Sequence, residues 1–104
     1  MKGLKVAILT ERNINIHIIA AMIVFVAGLL YSISMIEWAI LSLTVGAVIS
    51  MEMMNTALER ALDHLEPEHR PAIGVAKDMA AGAVLVTAIV AILVAILIFM
   101  PKIL

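Results

Sequence analysis

The stretch Glu52-Met53-Met54-Asn55-Thr56-Ala57-Leu58-Glu59 sets two carboxylates and an amide at the end of a long apolar run. A carboxylate is costly to bury in hydrocarbon, so an acid at such a place marks a functional site by default. On a helix, side chains three and four apart share a face. Glu52, Asn55, Thr56, Glu59 and Asp63 therefore form one polar stripe, while Met51, Met53, Met54, Ala57, Leu58, Ala61 and Leu62 keep the other sides apolar. Carboxylates and an amide make a hard-oxygen set suited to Mg²⁺, which is usually held by one or two carboxylates together with substrate phosphates. Glu52 is the deepest of the set, and by helix rise Glu59 lies about 10 Å nearer the water. A deep carboxylate is placed to accept a proton from a hydroxyl arriving laterally from lipid. The stripe thus suits a site that joins a water-soluble phosphate donor to a membrane alcohol.

Such residues need helices to hold them in an apolar medium. The chain has 104 residues and is 64% hydrophobic, with a mean hydropathy of +1.16, whereas soluble domains are nearer half apolar. It reads as a single all-α membrane domain over residues 1–104. A net charge of −1 gives no bulk attraction to nucleic acid. The lack of cysteine excludes disulfides and thiolate chemistry. Residues 1–13 mix Lys2, Lys5, Glu11 and Arg12 with Leu4, Val6, Ile8 and Leu9. They read as a short amphipathic helix on the membrane surface. They do not read as a secretory signal, because no apolar core precedes a small-residue cleavage site.

Three further helices, about 14–36, 38–65 and 78–100, are expected to contain the transmembrane spans. Residues 32–36 leave room for a tight turn between the first two, with Tyr31 and Trp38 at the interface. Glu66-Pro67-Glu68-His69-Arg70-Pro71 is a polar loop; Gly74 to Lys77 leads out of it, and Asp78 caps or precedes the third helix. Lys2, Lys5, Arg12, Arg60, Arg70 and Lys77 fall on one side of the three spans and Lys102 on the other. The basic side is expected in the cytoplasm. This topology carries Glu11, Glu52, Asn55, Glu59, Lys77 and Asp78 to one membrane face, where Lys77 offers a point charge for phosphate.

Blander readings exist for single residues. Glu59 and Asp63 alone would be ordinary acids reaching for water, and His17, near a helix start, reads as interfacial. His64 and His69 lack the further ligands of a zinc site. No G-x-x-x-x-G-K pattern is present, so a nucleotide would need a different phosphate site. A rival class is a proton-coupled transporter or ion-translocating subunit with Glu52 as its protonation site. A third reading makes the polar stripe a device for helix association.

Three segments carry a resemblance. They are Thr10-Glu11-Arg12-Asn13, Glu52-x-x-Asn55-Thr56-Ala57-x-Glu59-x-x-x-Asp63 and Ala76-Lys77-Asp78-Met79-Ala80-Ala81-Gly82-Ala83-Val84-Leu85. In order and spacing they resemble the bacterial integral-membrane diacylglycerol kinase and undecaprenol kinase family, over almost the whole chain. The resemblance implies a homotrimer of three-helix protomers in the bacterial cytoplasmic membrane, with active sites shared between neighbours and facing the cytoplasm. It implies ATP as phosphate donor and Mg²⁺ as cofactor. Glu52 stands at the catalytic base, and Glu11 and Glu59 at the ligands of the metal ions that bridge the ATP phosphates. Asn55 matches the supporting amide, Lys77 and Asp78 the nucleotide-binding pair, and Glu68, His69 and Arg70 the loop that meets the nucleotide. Family members usually begin earlier in the surface helix, so some lipid and nucleotide contacts are expected to be lost here or supplied by a neighbouring subunit. Ala80-Ala81-Gly82-Ala83-Val84-Leu85 is similar to the undecaprenol kinase branch. The expected reaction is phosphorylation of undecaprenol to undecaprenyl phosphate, with diacylglycerol to phosphatidic acid as the alternative.

Overall fold

The computed structural model describes residues 12–65 and 70–104. Over these the chain forms three helices, α1 (Arg12–Leu30), α2 (Met35–Leu65) and α3 (Pro71–Ile103). Of the expected surface helix over 1–13, residues 1–11 lie outside the described part, and Arg12 and Asn13 already belong to α1. A helix satisfies its own backbone polar groups, the condition that an apolar surrounding imposes.

The turn from α1 to α2 is tightly specified. Ile33 donates its N–H to Gly28 O at 3.2 Å and Ser32 donates to Leu29 O at 3.3 Å, with Ser32 at φ 51°. This is a Schellman motif, in which one left-handed residue returns the chain and the last helical carbonyls are satisfied. Serine occupies the position where glycine is normally preferred. Ser34 then caps α2. Its Oγ accepts from the Glu37 N–H at 3.1 Å, and Glu37 Oε1 accepts from the Ser34 N–H at 2.9 Å, a reciprocal capping box. The pair starts α2 at Met35, slightly before the expected Trp38.

The start of α3 differs from expectation by more. Gly74 was expected to lie in the lead-out from the loop and Asp78 to mark the helix start, yet α3 begins at Pro71. Arg70 is its extended N-cap residue, with φ −84° and ψ 145°. Pro71 has no N–H to lose in the first turn and has its φ preset for a helix. Its helix continues through Gly74, a residue that costs only about 1 kcal/mol inside a helix. Asp78 therefore sits well inside α3 and is exposed.

α2 packs chiefly on α3 and less extensively on α1. The α2–α3 hairpin is clamped at both ends. Lys77 pairs with Asp63 near the loop, and Lys102 Nζ lies 3.2 Å from Glu37 Oε1 at the other end. By helix rise the two clamps are about 39 Å apart along α2 and about 38 Å along α3, so one antiparallel register satisfies both. That separation exceeds the ~30 Å hydrocarbon core of a bilayer. Ile33, Leu41 and Ile98 form a small core near the α1–α2 turn, with Val24, Trp38, Val94 and Phe99 packed on it. Elsewhere large apolar side chains such as Ile23, Phe25, Ile92 and Leu97 are exposed. A helix apolar on all sides belongs in a surrounding that is itself apolar. α2 and α3 are each long and apolar enough to cross a membrane, and the apolar part of α1, Ile14–Leu30, is shorter.

Candidate active site

One face of α2 buries Leu41, Val48 and Glu52. The steps of seven and four keep these residues on a single helical side. Glu52 therefore enters the protein because it continues an apolar packing face, and only 5% of it is exposed. His17 of α1 faces it, with Nε2 3.9 Å from Glu52 Oε2. The sequence places the histidine at the interface; it is half-buried and is the polar neighbour that the helix packing brings to Glu52. Spacing within one helix carries no signal of this contact, which crosses from α1 to α2.

One turn on, Asn55 Nδ2 donates to Glu59 Oε1 at 3.4 Å. The oxygen of that amide, Asn55 Oδ1, is buried and has no hydrogen-bond partner. An orphaned buried acceptor costs about 1–3 kcal/mol. It is accounted for when a donor from outside the chain, such as a metal-bound water or a nucleotide group, fills the position. Glu59 with this amide presents the hard oxygens that a hydrated Mg²⁺ uses, since Mg²⁺ keeps several waters and takes one or two carboxylates. Among the described residues no group of three or more His, Cys, Asp or Glu forms a closed metal cage. Among the described residues, Glu59 and the Asn55 amide fit a cation shared with phosphates.

Lys77, at the second turn of α3, donates to Asp63 Oδ1. Asp63 is 60% exposed and Lys77 25%. An exposed pair of this kind contributes about 0–1 kcal/mol, so Lys77 is held only weakly by its carboxylate. Asp78 is exposed beside it in sequence, and Arg70 holds the start of α3. The structure thus gathers Asn55, Glu59, Asp63 and Lys77 toward the loop end of the α2–α3 hairpin and leaves Glu52 deeper, against His17. Glu11, Glu68 and His69 lie outside the described residues.

Comparison with known proteins places the chain in a family. The family model described as prokaryotic diacylglycerol kinase matches residues 1–99. The chain is 44% identical over 93 residues to an undecaprenol kinase of Bacillus subtilis, covering 89% of this chain and 76% of that protein. It is 37% identical over 103 residues to a diacylglycerol kinase of Synechocystis, covering 98% of this chain and 59% of that protein. A diacylglycerol kinase of Escherichia coli is 30% identical over 92 residues, covering 88% of this chain and 75% of its own length.

Proposed function

We propose, from the premise that this chain belongs to the prokaryotic diacylglycerol kinase family and is a lipid kinase, that it phosphorylates undecaprenol with ATP. Its family and its two membrane-length helices make it a bacterial membrane protein. The observation that carries the mechanism is the depth of Glu52. It is the only acidic or basic side chain between Trp38 and Leu58, it is buried, and by helix rise it lies about 16 Å inward from Asp63. A hydroxyl on a lipid whose tail stays in the bilayer reaches that depth, and ATP does not need to.

In this reading Glu52 accepts the proton of the lipid hydroxyl as its oxygen attacks the γ-phosphorus. The bond from the γ-phosphorus to the bridging oxygen breaks, ADP leaves, and the lipid carries the phosphoryl group. Lys77 gives up Asp63 and holds phosphate oxygens, with Asp78 and Arg70 on the nucleotide side. Asn55 turns Glu59 toward the phosphates through its amide hydrogen bond. Mg²⁺ held by Glu59 and by Glu11 would supply neutralisation of the charge that develops on the phosphates. Phosphoryl transfer asks little covalent chemistry of the protein, so positioning and electrostatics carry the rate. A homotrimer with shared sites, three spans per protomer and a cytoplasmic active site complete the proposal, with the basic ends of the helices supporting that orientation.

The choice of undecaprenol is supported by the higher identity to the protein named undecaprenol kinase than to those named diacylglycerol kinase, and by the run Ala80-Ala81-Gly82-Ala83-Val84-Leu85. The test is transfer of labelled γ-phosphate from ATP to undecaprenol and to diacylglycerol in mixed micelles. Faster transfer to diacylglycerol would overturn the substrate assignment. Glu52→Gln is expected to lower turnover by about 10²- to 10⁴-fold, the usual contribution of a general base. Near-normal turnover would remove Glu52 from that role.

A further inference from the structure

His17 is absent from the mechanism above, yet it and Glu52 are isolated together. Between Asn13 and Ile36, His17 is the only acidic or basic side chain apart from the phenol of Tyr31 at the far end of α1. Between Trp38 and Leu58 there is only Glu52, and α3 has none from Met79 to Pro101. Glu59 lies about 10 Å further along α2. Among the described residues, then, no other ionisable group on any of the three helices faces this pair at its depth. His17 also lines an apolar cavity together with Ala20, Ala21, Val48 and Ala91. The hydroxyl in that cavity, Thr44 Oγ1, is already committed to Ile40 O at 2.7 Å.

We propose that His17 is a positioning residue for Glu52: its Nε2, 3.9 Å from Oε2, holds the buried carboxyl oriented toward the lipid hydroxyl. The proposal rests on the reading of Glu52 as the base. With no other ionisable group at its depth among the described residues, the Glu52 carboxyl has the imidazole as its directing neighbour, and a contact of 3.9 Å can tighten when substrate binds. A general base must stand within hydrogen-bond reach of the proton it accepts, so a misdirected Glu52 slows the chemical step and leaves ATP binding unchanged.

The experiment uses the full chain in lipid and follows kcat and the KM for ATP at saturating lipid alcohol in wild type, H17A, H17Q, E52Q and the double variant H17A/E52Q. H17A is expected to lower kcat by up to about 10²-fold, the cost of a misplaced reacting group, with the KM for ATP unchanged. H17Q keeps a donor amide of similar volume and is expected to recover most of kcat, and it reports even where H17A fails to fold. In the double variant the loss from H17A should vanish, because the carboxyl it directs is gone. Wild-type kcat in folded H17A, or an equal loss from H17A with and without Glu52, would overturn the pairing. Near-normal kcat in E52Q would instead remove Glu52 as the base, which separates failure of the underlying mechanism from failure of this inference.

Discussion

Gly28→Ala is expected to loosen the α1–α2 hairpin, and the cost can be worked from the packing. Gly28 is buried. A Cβ placed on it would stand 2.6 Å from Trp38 Cη2, 2.9 Å from Trp38 Cζ2 and 3.1 Å from Ile33 Cδ1. Carbon atoms in good contact sit about 3.5–4.0 Å apart, so the indole must retreat by roughly 1 Å. The indole also packs on Phe25, with ring centroids 5.3 Å apart, so its retreat would disturb that contact. Forcing a methyl into a packed site typically costs about 1–3 kcal/mol. Alanine returns up to about 1 kcal/mol of helix propensity over glycine. The net expectation is a loss of about 1 kcal/mol, and no more than about 2, by the difference of those two effects. The assay is reversible unfolding in detergent micelles for Gly28→Ala, Trp38→Leu and the double variant. Trimming the indole makes room for the methyl, so the double variant should lose less than the two single losses added. Gly28→Ala at or above wild-type stability, or strictly additive losses, would refute the close-approach reasoning. The folded variant should phosphorylate lipid normally, since Trp38 lies about 21 Å along α2 from Glu52.

Lys77→Gln should raise the KM for ATP by about tenfold or more, because a hydrogen bond to a charged group contributes about 1.5–3 kcal/mol. Its effect on unfolding should stay below about 1 kcal/mol, because the pair with Asp63 is exposed; steady-state kinetics with an unchanged KM would remove Lys77 from the phosphate site. Ser32→Gly should stabilise the chain by about 0.5–1 kcal/mol, because Ser32 sits in the left-handed region that glycine occupies without a Cβ penalty. Micelle unfolding that shows a loss would mean that the serine hydroxyl matters to the turn.

The acids and amides of the candidate site were legible before any fold was known. Glu52, Asn55 and Glu59 interrupt an apolar run at helical spacing, and that pattern forces a shared face. The capped start of α2 was less legible, since Ser34 and Glu37 act as a pair only once the Schellman turn at Ser32 has aimed the chain. The start of α3 was misplaced because Gly74 looks like a breaker and Asp78 like a cap. Pro71 is the stronger signal: it fixes one torsion and gives up a donor that the first turn would leave unpaired, and the penalty of Gly74 is then absorbed by the length of the helix.

By itself the sequence determined the helical, apolar character of the chain, the polar stripe on α2 and the concentration of charge at the helix ends. These follow from periodicity and composition, which act within one segment. Only the tertiary structure decided what Glu52 meets. The register of α1 against α2 sets His17 beside it, and the register of α3 against α2 spends Lys77 on Asp63 and Lys102 on Glu37. Those choices depend on how side chains interdigitate between helices, a property of surfaces in contact that spacing along one helix does not encode. Glu52 began as an awkward acid in an apolar run; packing buried it and set His17 beside it.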